Sequence, residues 1–283
     1  MGDIIMTAGI YVFAVLFIFL LFVFFSAVIG YFVQPKYRKY QPDVTVLIPA
    51  YNEEKNIGKC LEHVFASHYP LSKMDVIVVD DGSADNTRSI VKQFQKKYPR
   101  KIRLVNGTHQ GKSVSLNHGV KIARTEIIMT IDADTFIDPG SLRLLVQPFQ
   151  DPLVGATNGS CVVANPHSLV GVFQRIEYHY NNLIRKSFSS LFKTGIWFFG
   201  AFACYRRSVI EKIGYFKTDT LTEDMDTAME IYLSGYRTIN VWDALGHTVA
   251  PDTLSAFFKQ RTRWWMGVLQ SLAKNRALFH YKS

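Results

Sequence analysis

The sequence is poor in the features that mark zinc-binding, disulfide-bonded and nucleic-acid-binding proteins. Its three cysteines, Cys60, Cys161 and Cys204, lie far apart without a CxxC spacing, which argues against a zinc site or a disulfide framework and fits a reducing compartment. The chain has a formal net charge of +9 but no zinc-finger, RNP or helix-turn-helix pattern, so nucleic acid is not an expected partner. The positive charge instead suits anionic headgroups or a phosphate-bearing substrate.

The N-terminal segment lacks charge. No formally charged residue occurs between Asp3 and Lys36, and residues 10–33 are dominated by Phe, Leu, Val and Ile. About 20 apolar residues in helical form span a bilayer core, so this run predicts a transmembrane anchor. A secretory signal peptide would need a basic start and a shorter apolar core, whereas the only early charge here is acidic. Lys36, Arg38 and Lys39 follow the span, and the positive-inside rule then places the rest of the chain in the cytosol.

The remainder has no internal repeat and no low-complexity tract, and its first half alternates short apolar runs with helical patterns. This alternation predicts a doubly wound parallel sheet, in which ligands bind beyond the carboxyl ends of the strands. The predicted strands cover residues 44–50, 74–80, 102–105 and 126–131. Helices are predicted after a capping Asn52, after a capping Asp85 or Asn86, and over 111–124, 168–192, 222–233 and 255–279. The expected domains are an anchor and linker (1–42), a catalytic domain (43–250) and a basic, aromatic C-terminal helix that lies against the membrane surface (251–283).

Polar clusters stand at the ends of three predicted strands. In the first, Tyr51 offers an aromatic face to a base and Glu53 an acceptor, although a capped helix start explains that stretch equally well. In the second, the adjacent carboxylates Asp80 and Asp81 end a buried run, where they need a cation or hydrogen-bond donors. In the third, residues 132–134 read Asp-Ala-Asp, and hard divalent ions prefer such oxygen ligands.

A fourth cluster lies in the second half of the chain. Residues 222–224 read Thr-Glu-Asp, and a carboxylate of this stretch is a candidate general base on an acceptor hydroxyl. Arg263 suits a diphosphate, since guanidinium binds such anions well, and Trp264 suits stacking on a sugar ring. Taken singly, a helix cap and a basic interfacial helix explain these two stretches better.

Together the clusters resemble glycosyltransferase family 2, from about residue 44 to residue 267. The resemblance is nearest to the processive membrane synthases of cellulose, hyaluronan, chitin and poly-N-acetylglucosamine. The residues behind it are Pro49-Ala50-Tyr51-Asn52-Glu53, Val79-Asp80-Asp81-Gly82-Ser83, Gly111-Lys112, Asp132-Ala133-Asp134, Thr222-Glu223-Asp224 and Gln260 with Arg263-Trp264. It implies a Rossmann-like type A glycosyltransferase fold with an N-terminal transmembrane helix and C-terminal interfacial helices.

The resemblance also implies an activity and a set of site residues. The activity is metal-dependent, inverting transfer of a hexose or N-acetylhexosamine from a nucleotide sugar, UDP-linked, to a growing β-glycan at a prokaryotic plasma membrane. The nucleotide-binding residues would be Ala50, Tyr51, Glu53, Asp80 and Asp81, with Lys112 and Asp132 near the donor diphosphate. The cation, Mg²⁺ or Mn²⁺, would be held by Asp134 and Asp132. The catalytic group would be Asp224 as base with Glu223 beside it, and Gln260, Arg263 and Trp264 closing over the site. Gly200 would lie in a loop at 199–202 beneath the acceptor sugar.

Alternatives remain open at this point. Synthases of this type usually carry further transmembrane helices after the Trp-containing motif, and no second long apolar run follows Trp264. A channel-forming membrane subunit is therefore one expected partner. The other expectations are a non-processive transferase that adds one sugar to a lipid or lipid-linked acceptor, and a non-catalytic sugar-nucleotide-binding subunit. The identity of the sugar is not predicted.

Overall fold

A mixed sheet forms the centre of the fold in the computed structural model, which describes residues 2–32, 37–192 and 200–279. The strands are β1 (Val44–Ala50), β2 (Met74–Asp80), β3 (Ile102–Asn106), β4 (Ile127–Ile131), β5 (Thr135–Ile137), β6 (Val154–Val163), β7 (Phe202–Arg206) and β8 (Arg237–Thr248). The helices are α1 (Gly2–Phe32), α2 (Ile57–Phe65), α3 (Thr87–Lys97), α4 (Lys112–Ile122), α5 (Ser141–Val146), α6 (Leu169–Phe192), α7 (Arg207–Lys212), α8 (Glu223–Leu233) and α9 (Leu254–Lys274). Across the sheet the strand order is β3-β2-β1-β4-β7-β6-β8-β5.

The first four strands form the parallel part of the sheet, as predicted. β1 pairs in parallel with β2 and with β4, and β2 pairs in parallel with β3. These strands consist of aliphatic runs because both faces of this part are covered by helices. Val46 and Val78 pack with Leu61 of α2 on one face, whereas Leu47 and Ile77 pack with α4 on the other. The carboxyl ends of β1, β2 and β4 therefore lie side by side at one edge.

The second half departs from the predicted parallel sheet. β7 runs antiparallel to both β4 and β6, and β5 runs antiparallel to β8. Strands β5 to β8 were not predicted, because their sequences lack uninterrupted aliphatic runs. β6 contains Thr157, Asn158 and Ser160, which are buried all the same. The polar sequence of β6 is typical of a loop, but pairing with the neighbouring strands and burial between them make it a strand.

The predicted cap at Asn52 is wrong. α2 begins later, at Ile57, and Asn52 adopts a left-handed backbone with a φ of 54°. Its side-chain oxygen accepts the N–H of Ala84 at 2.9 Å, and its own N–H donates to Ser83 Oγ at 2.9 Å. Asn52 therefore joins the loop after β1 to the loop after β2, which fixes the edge of the sheet where the acidic clusters lie.

The N-terminal helix matches the predicted anchor. Within α1, residues Met6–Ser26 have a mean hydropathy of 2.9 with 6% of the tested window buried, so this segment is long and apolar enough to cross a membrane. α1 packs along α6, which buries Val23 and Ser26. Residue 33, the end of the predicted span, lies outside the described part of the chain. α9 packs against α8.

Candidate functional site

A single ammonium group joins two clusters that are distant in sequence. Lys112, the first residue of α4, places Nζ 2.6 Å from Asp132 Oδ1 and 2.9 Å from Glu223 Oε1. Asp132 follows β4, and Glu223 opens α8. The strand-end cluster at 132–134 and the acidic start of α8 therefore share one pocket at the carboxyl edge of the sheet.

The charges of this pocket hold one another in the ionised form. Burial alone would lower the pKa of Lys112, but Asp132, Glu223 and Asp224 hold that pKa well above its usual range. Burial likewise opposes the charge of Glu223, yet Lys112 brings the pKa of Glu223 below its usual value. The pocket thus carries one ammonium among three carboxylates, and this excess of negative charge suits a divalent cation.

Asp224 is held by backbone donors. The N–H of Gly200 donates to Asp224 Oδ2 at 2.7 Å, and the N–H of Met225 donates to Oδ1 at 2.9 Å. A Cβ added to Gly200 would lie 2.6 Å from the Asp224 Cβ, so only glycine permits this approach. Burial, followed by the charge of Glu223, raises the pKa of Asp224 to about 6 against the opposing effect of Lys112. Asp224 is then ionised at neutral pH and basic enough to accept a proton.

The two aspartates after β4 are the candidate cation ligands. Burial is the main cause that raises the pKa of both Asp132 and Asp134 to about 6, and the charge of Glu53 adds to it at Asp134. Within the described residues, no three His, Cys, Asp or Glu side chains lie close enough to hold a metal by themselves. Mg²⁺ is commonly held by one or two carboxylates together with substrate phosphates, and this donor pair fits that chemistry.

The loops after β1 and β2 form the opposite side of the pocket. Asp81 Oδ1 accepts the N–H of Gln110 at 2.9 Å, and Asp81 Oδ2 accepts the N–H of Gly111 at 2.8 Å. Ala50, whose C=O accepts the N–H of Asp81 at 2.8 Å, is buried beneath this contact. Asp81 is therefore hydrogen-bonded to the residue that precedes Lys112 at the start of α4, and it belongs to the same pocket.

Asp80 and Glu53 were also predicted to bind the nucleotide, but their surroundings differ from those of Asp81. Asp80 is fully buried, and its Oδ2 pairs with Arg88 Nε at 2.5 Å. Asp80 thus supports the loop instead of facing the pocket. Glu53 accepts the side-chain N–H of Asn56 at 2.9 Å. Its pKa is raised mainly by burial, with the charge of Asp132 adding to the effect, so Glu53 lies at the rim of the same acidic cluster.

Tyr51 forms a stack that the sequence did not predict. Its ring lies 4.0 Å from the ring of His109, centroid to centroid, at an interplanar angle of 28°. His109 belongs to the loop between β3 and α4, which also supplies the donors to Asp81. The only sequence signal for this contact was the position of His109 shortly before Gly111-Lys112.

Two of the predicted site residues of α9, Gln260 and Trp264, contact Arg261, which was not itself predicted as a site residue. Gln260 Oε1 accepts from Arg261 Nη1 at 2.6 Å, and the Arg261 guanidinium lies 4.2 Å over the Trp264 ring. Arg261 is buried and pairs with Glu177 of α6, with Nη2 to Oε2 at 2.5 Å. Glu177 is the single acidic residue of 168–192, which is the signal that could have identified it. Arg263 is exposed, and its Nη1 donates to the Leu221 C=O at 3.4 Å, just before Glu223.

α9 and the start of α8 are tightly connected. A Cβ added to Gly267 would lie 2.5 Å from the Thr222 side chain. Further along, Asp226 is fully buried and accepts Lys274 Nζ and Asn275 Nδ2, each at 2.7 Å. The acidic motif and the Trp-containing helix therefore form one packed unit. Residues 193–199, which include the first residue of the predicted loop at 199–202, lie outside the described part of the chain.

The family model "Glycosyltransferase like family 2" matches residues 42–267. The chain is 32% identical over 225 residues to poly-beta-1,6-N-acetyl-D-glucosamine synthase of Staphylococcus epidermidis, which is 79% of this chain and 54% of that protein. The chain thus spans about half the length of the curated relatives it matches.

Two solved structures have a related fold. The mannosyltransferase PcManGT from Pyrobaculum calidifontis, solved with GDP-Man and Mn²⁺, aligns with a TM-score of 0.72 and 28% identity over 92% of this chain and 74% of that one. TarS 1-349 of S. aureus, in complex with UDP, aligns with a TM-score of 0.60 and 20% identity over 82% of this chain and 65% of that one. The second likeness concerns the fold alone.

Proposed function

Because the chain belongs to the glycosyltransferase-like family 2, we propose that it is a membrane-anchored, inverting glycosyltransferase. It moves a hexose or N-acetylhexosamine from a UDP-linked donor to a growing β-glycan. The observation that carries the proposal is the bridge from Lys112 to both Asp132 and Glu223, with Asp224 fixed beside it by Gly200. The similarity to the poly-N-acetylglucosamine synthase supports the choice of donor and product.

In the proposed reaction, an acceptor hydroxyl oxygen forms a bond to the anomeric carbon of the donor sugar. The bond from that carbon to the diphosphate oxygen breaks on the opposite face, and its electron pair leaves with the diphosphate. The hydroxyl proton passes to Asp224, whose pKa of about 6 suits this task. One in-line displacement inverts the anomeric centre, so an α-linked donor gives a β-linkage.

The charge that develops on the diphosphate needs stabilisation. Lys112 and Arg263 are the cations of this chain that would supply it. Mg²⁺ or Mn²⁺, held by Asp134 and Asp132, would neutralise further negative charge when bound. Tyr51 and Asp81 would hold the nucleoside, and Trp264, together with the loop at Gly200, would contact the acceptor.

The proposed location is the cytosolic face of a plasma membrane, with residues 1–42 as anchor and linker. The hydropathy of Met6–Ser26 supports the anchor. Within 251–283, α9 exposes Phe258, Trp265 and Leu269, which are spaced to lie on one helical face. A helix with such an apolar face and basic flanks suits the membrane interface.

A second candidate is a single addition to a lipid or lipid-linked acceptor. The described residues contain one helix long and apolar enough to cross a membrane, and this candidate requires no more than one such helix. Product length separates the two candidates, because processive synthesis gives a ladder of oligosaccharides and the alternative gives one added sugar.

The test is a donor screen with the full chain in detergent. UDP-GlcNAc, UDP-glucose and GDP-mannose are each supplied with Mg²⁺ or Mn²⁺, and the released nucleoside diphosphate and the product mass are measured. Asp224→Asn should abolish transfer and leave donor binding unchanged, whereas the exposed His118→Ala serves as the control. A wild-type chain that binds a nucleotide sugar without turning it over would be a non-catalytic binding subunit, and an active Asp224→Asn variant would remove Asp224 from the role of base.

A further inference from the structure

The ring of His109 covers an aromatic surface that faces the pocket. Tyr51 is 43% exposed and His109 is 61% exposed at the side chain, yet their rings stack with centroids 4.0 Å apart. Neither ring is part of the hydrophobic core, so core packing does not account for the pair. An aromatic pair at the mouth of a polar pocket is the kind of surface on which nucleic acid bases stack.

The backbone below the His109 ring is anchored on two sides. Gln110 and Gly111, which follow it, both donate N–H groups to Asp81. On the preceding side, the N–H of Gly107 donates to the Asp80 C=O at 2.6 Å. A Cβ added to Gly82 would lie 3.3 Å from the backbone nitrogen of His109, so the loop after β2 packs directly against the main chain at His109. The main chain is thus fixed, whereas the exposed ring is held by side-chain contacts, namely the stack with Tyr51 and Asp81 Oδ2 at 3.8 Å from its Nδ1.

We propose that His109 is the second wall of the nucleobase site, and that the base of the donor inserts between His109 and Tyr51. This inference rests on the proposed function, because it concerns the donor of that reaction. Planar rings in van der Waals contact lie about 3.5 Å apart, so an inserted base needs the two centroids about 7 Å apart. The ring of His109 therefore has to move about 3 Å farther from Tyr51 than in the stacked position. Rotation of the His109 side chain provides this distance, while the backbone hydrogen bonds from Gln110 and Gly111 to Asp81 stay in place.

Before the donor arrives, the two rings stack on one another. The two rings shield one another from water, and a base replaces that contact with two stacking faces. His109 is then a specificity-determining residue that favours donors with a planar base. A base-free diphosphate gains nothing from it.

The experiment compares two probes on the full chain and its variants. UDP and ribose 5-diphosphate share a pentose and a diphosphate, but only UDP has a base. His109→Ala should weaken UDP binding and raise the donor KM by about tenfold, at the low end of the stacking loss per base found on alanine substitution, with kcat unchanged. His109→Phe should restore both values, and His118→Ala, an exposed histidine on α4, is the matched control.

The outcomes distinguish this inference from the proposed function. Equal weakening of UDP and ribose 5-diphosphate by His109→Ala would mean that the residue acts on the loop or the diphosphate, and the proposal would be overturned. Tighter UDP binding by the alanine variant would identify His109 as a plug that the base must displace, which also contradicts a wall. If the wild-type chain binds neither UDP nor GDP, the proposed function itself fails.

Discussion

The raised pKa of Asp224 predicts how transfer depends on pH. With a pKa of about 6, Asp224 is mostly ionised at pH 7. By pH 5 only about a tenth of the molecules keep the ionised base. The value of kcat/KM should therefore fall about tenfold between pH 7 and pH 5, whereas an aspartate with its ordinary pKa near 3.8 would lose less than about a tenth of its activity over that range. The measurement is donor-dependent release of nucleoside diphosphate, because kcat/KM reports the ionisation of the free enzyme.

Two controls separate Asp224 from the other acids of the pocket. The pKa values of Asp132 and Asp134 are also about 6, so their protonation would weaken cation binding in the same range. A tenfold increase in Mg²⁺ should move a limb that arises from those two residues and leave the limb of Asp224 in place. Glu223→Gln should shift the Asp224 limb to lower pH, since the charge of Glu223 raises the pKa of Asp224. A profile that stays flat to pH 5, or a limb that Glu223→Gln does not move, would refute the reasoning.

Three further predictions concern the packing around the pocket. Gly267→Ala places a methyl group 2.5 Å from Thr222 and should cost about 1–3 kcal/mol of stability. It should also reduce transfer while sparing UDP binding, and full activity would contradict the close packing of α9 on α8. Lys274→Met removes a hydrogen-bond donor from the buried Asp226 and should lower the free energy of unfolding, measured in urea, by about 1–3 kcal/mol. Lys274→Arg keeps the positive charge and should lower the free energy of unfolding less. Equal losses in the two variants would contradict a role for the charge of Lys274. Asp224→Asn leaves one of the two backbone N–H donors without its acceptor at every pH, but it removes the ionisation of a buried acid. Its stability relative to the wild type should therefore improve by about 1–2 kcal/mol between pH 4 and pH 7 in EDTA, because an acid with a raised folded-state pKa costs stability as pH rises from about 4 to 6; a difference that does not change with pH would contradict the raised pKa.

The sequence predicted the parallel half of the fold because each of its strands is an aliphatic run buried on two faces. It did not predict β5 to β8, because buried polar residues such as Thr157 and Asn158 of β6 resemble a loop when their partner strands are unknown. The predicted helix cap at Asn52 was wrong for the same reason, whereas Asn86 does precede α3 as predicted. Asn52 has the chemistry of a helix cap, but its partners Ser83 and Ala84 are supplied by another loop.

The candidate site shows the same division. Lys112, Asp132, Glu223 and Asp224 were identified from their motifs, and the structure brings them into one pocket. Contact pairs around the site, such as Arg261 with Glu177 and His109 with Tyr51, were not identified, because they join segments whose spacing carries no pattern. Motifs locate the groups of a site, whereas the residues that orient them depend on the packing of the chain.

The connection between Asp226 and the end of α9 has a practical consequence for anyone who shortens this chain. The region matched by the family ends at residue 267, in the middle of α9, whereas Lys274 and Asn275 lie beyond it. A fragment cut at that boundary would leave the buried carboxylate of Asp226 without the two side chains that donate hydrogen bonds to it. An expression fragment that extends through residue 279 keeps both donors, so the functional limit of this catalytic region lies past the limit that sequence similarity alone would draw.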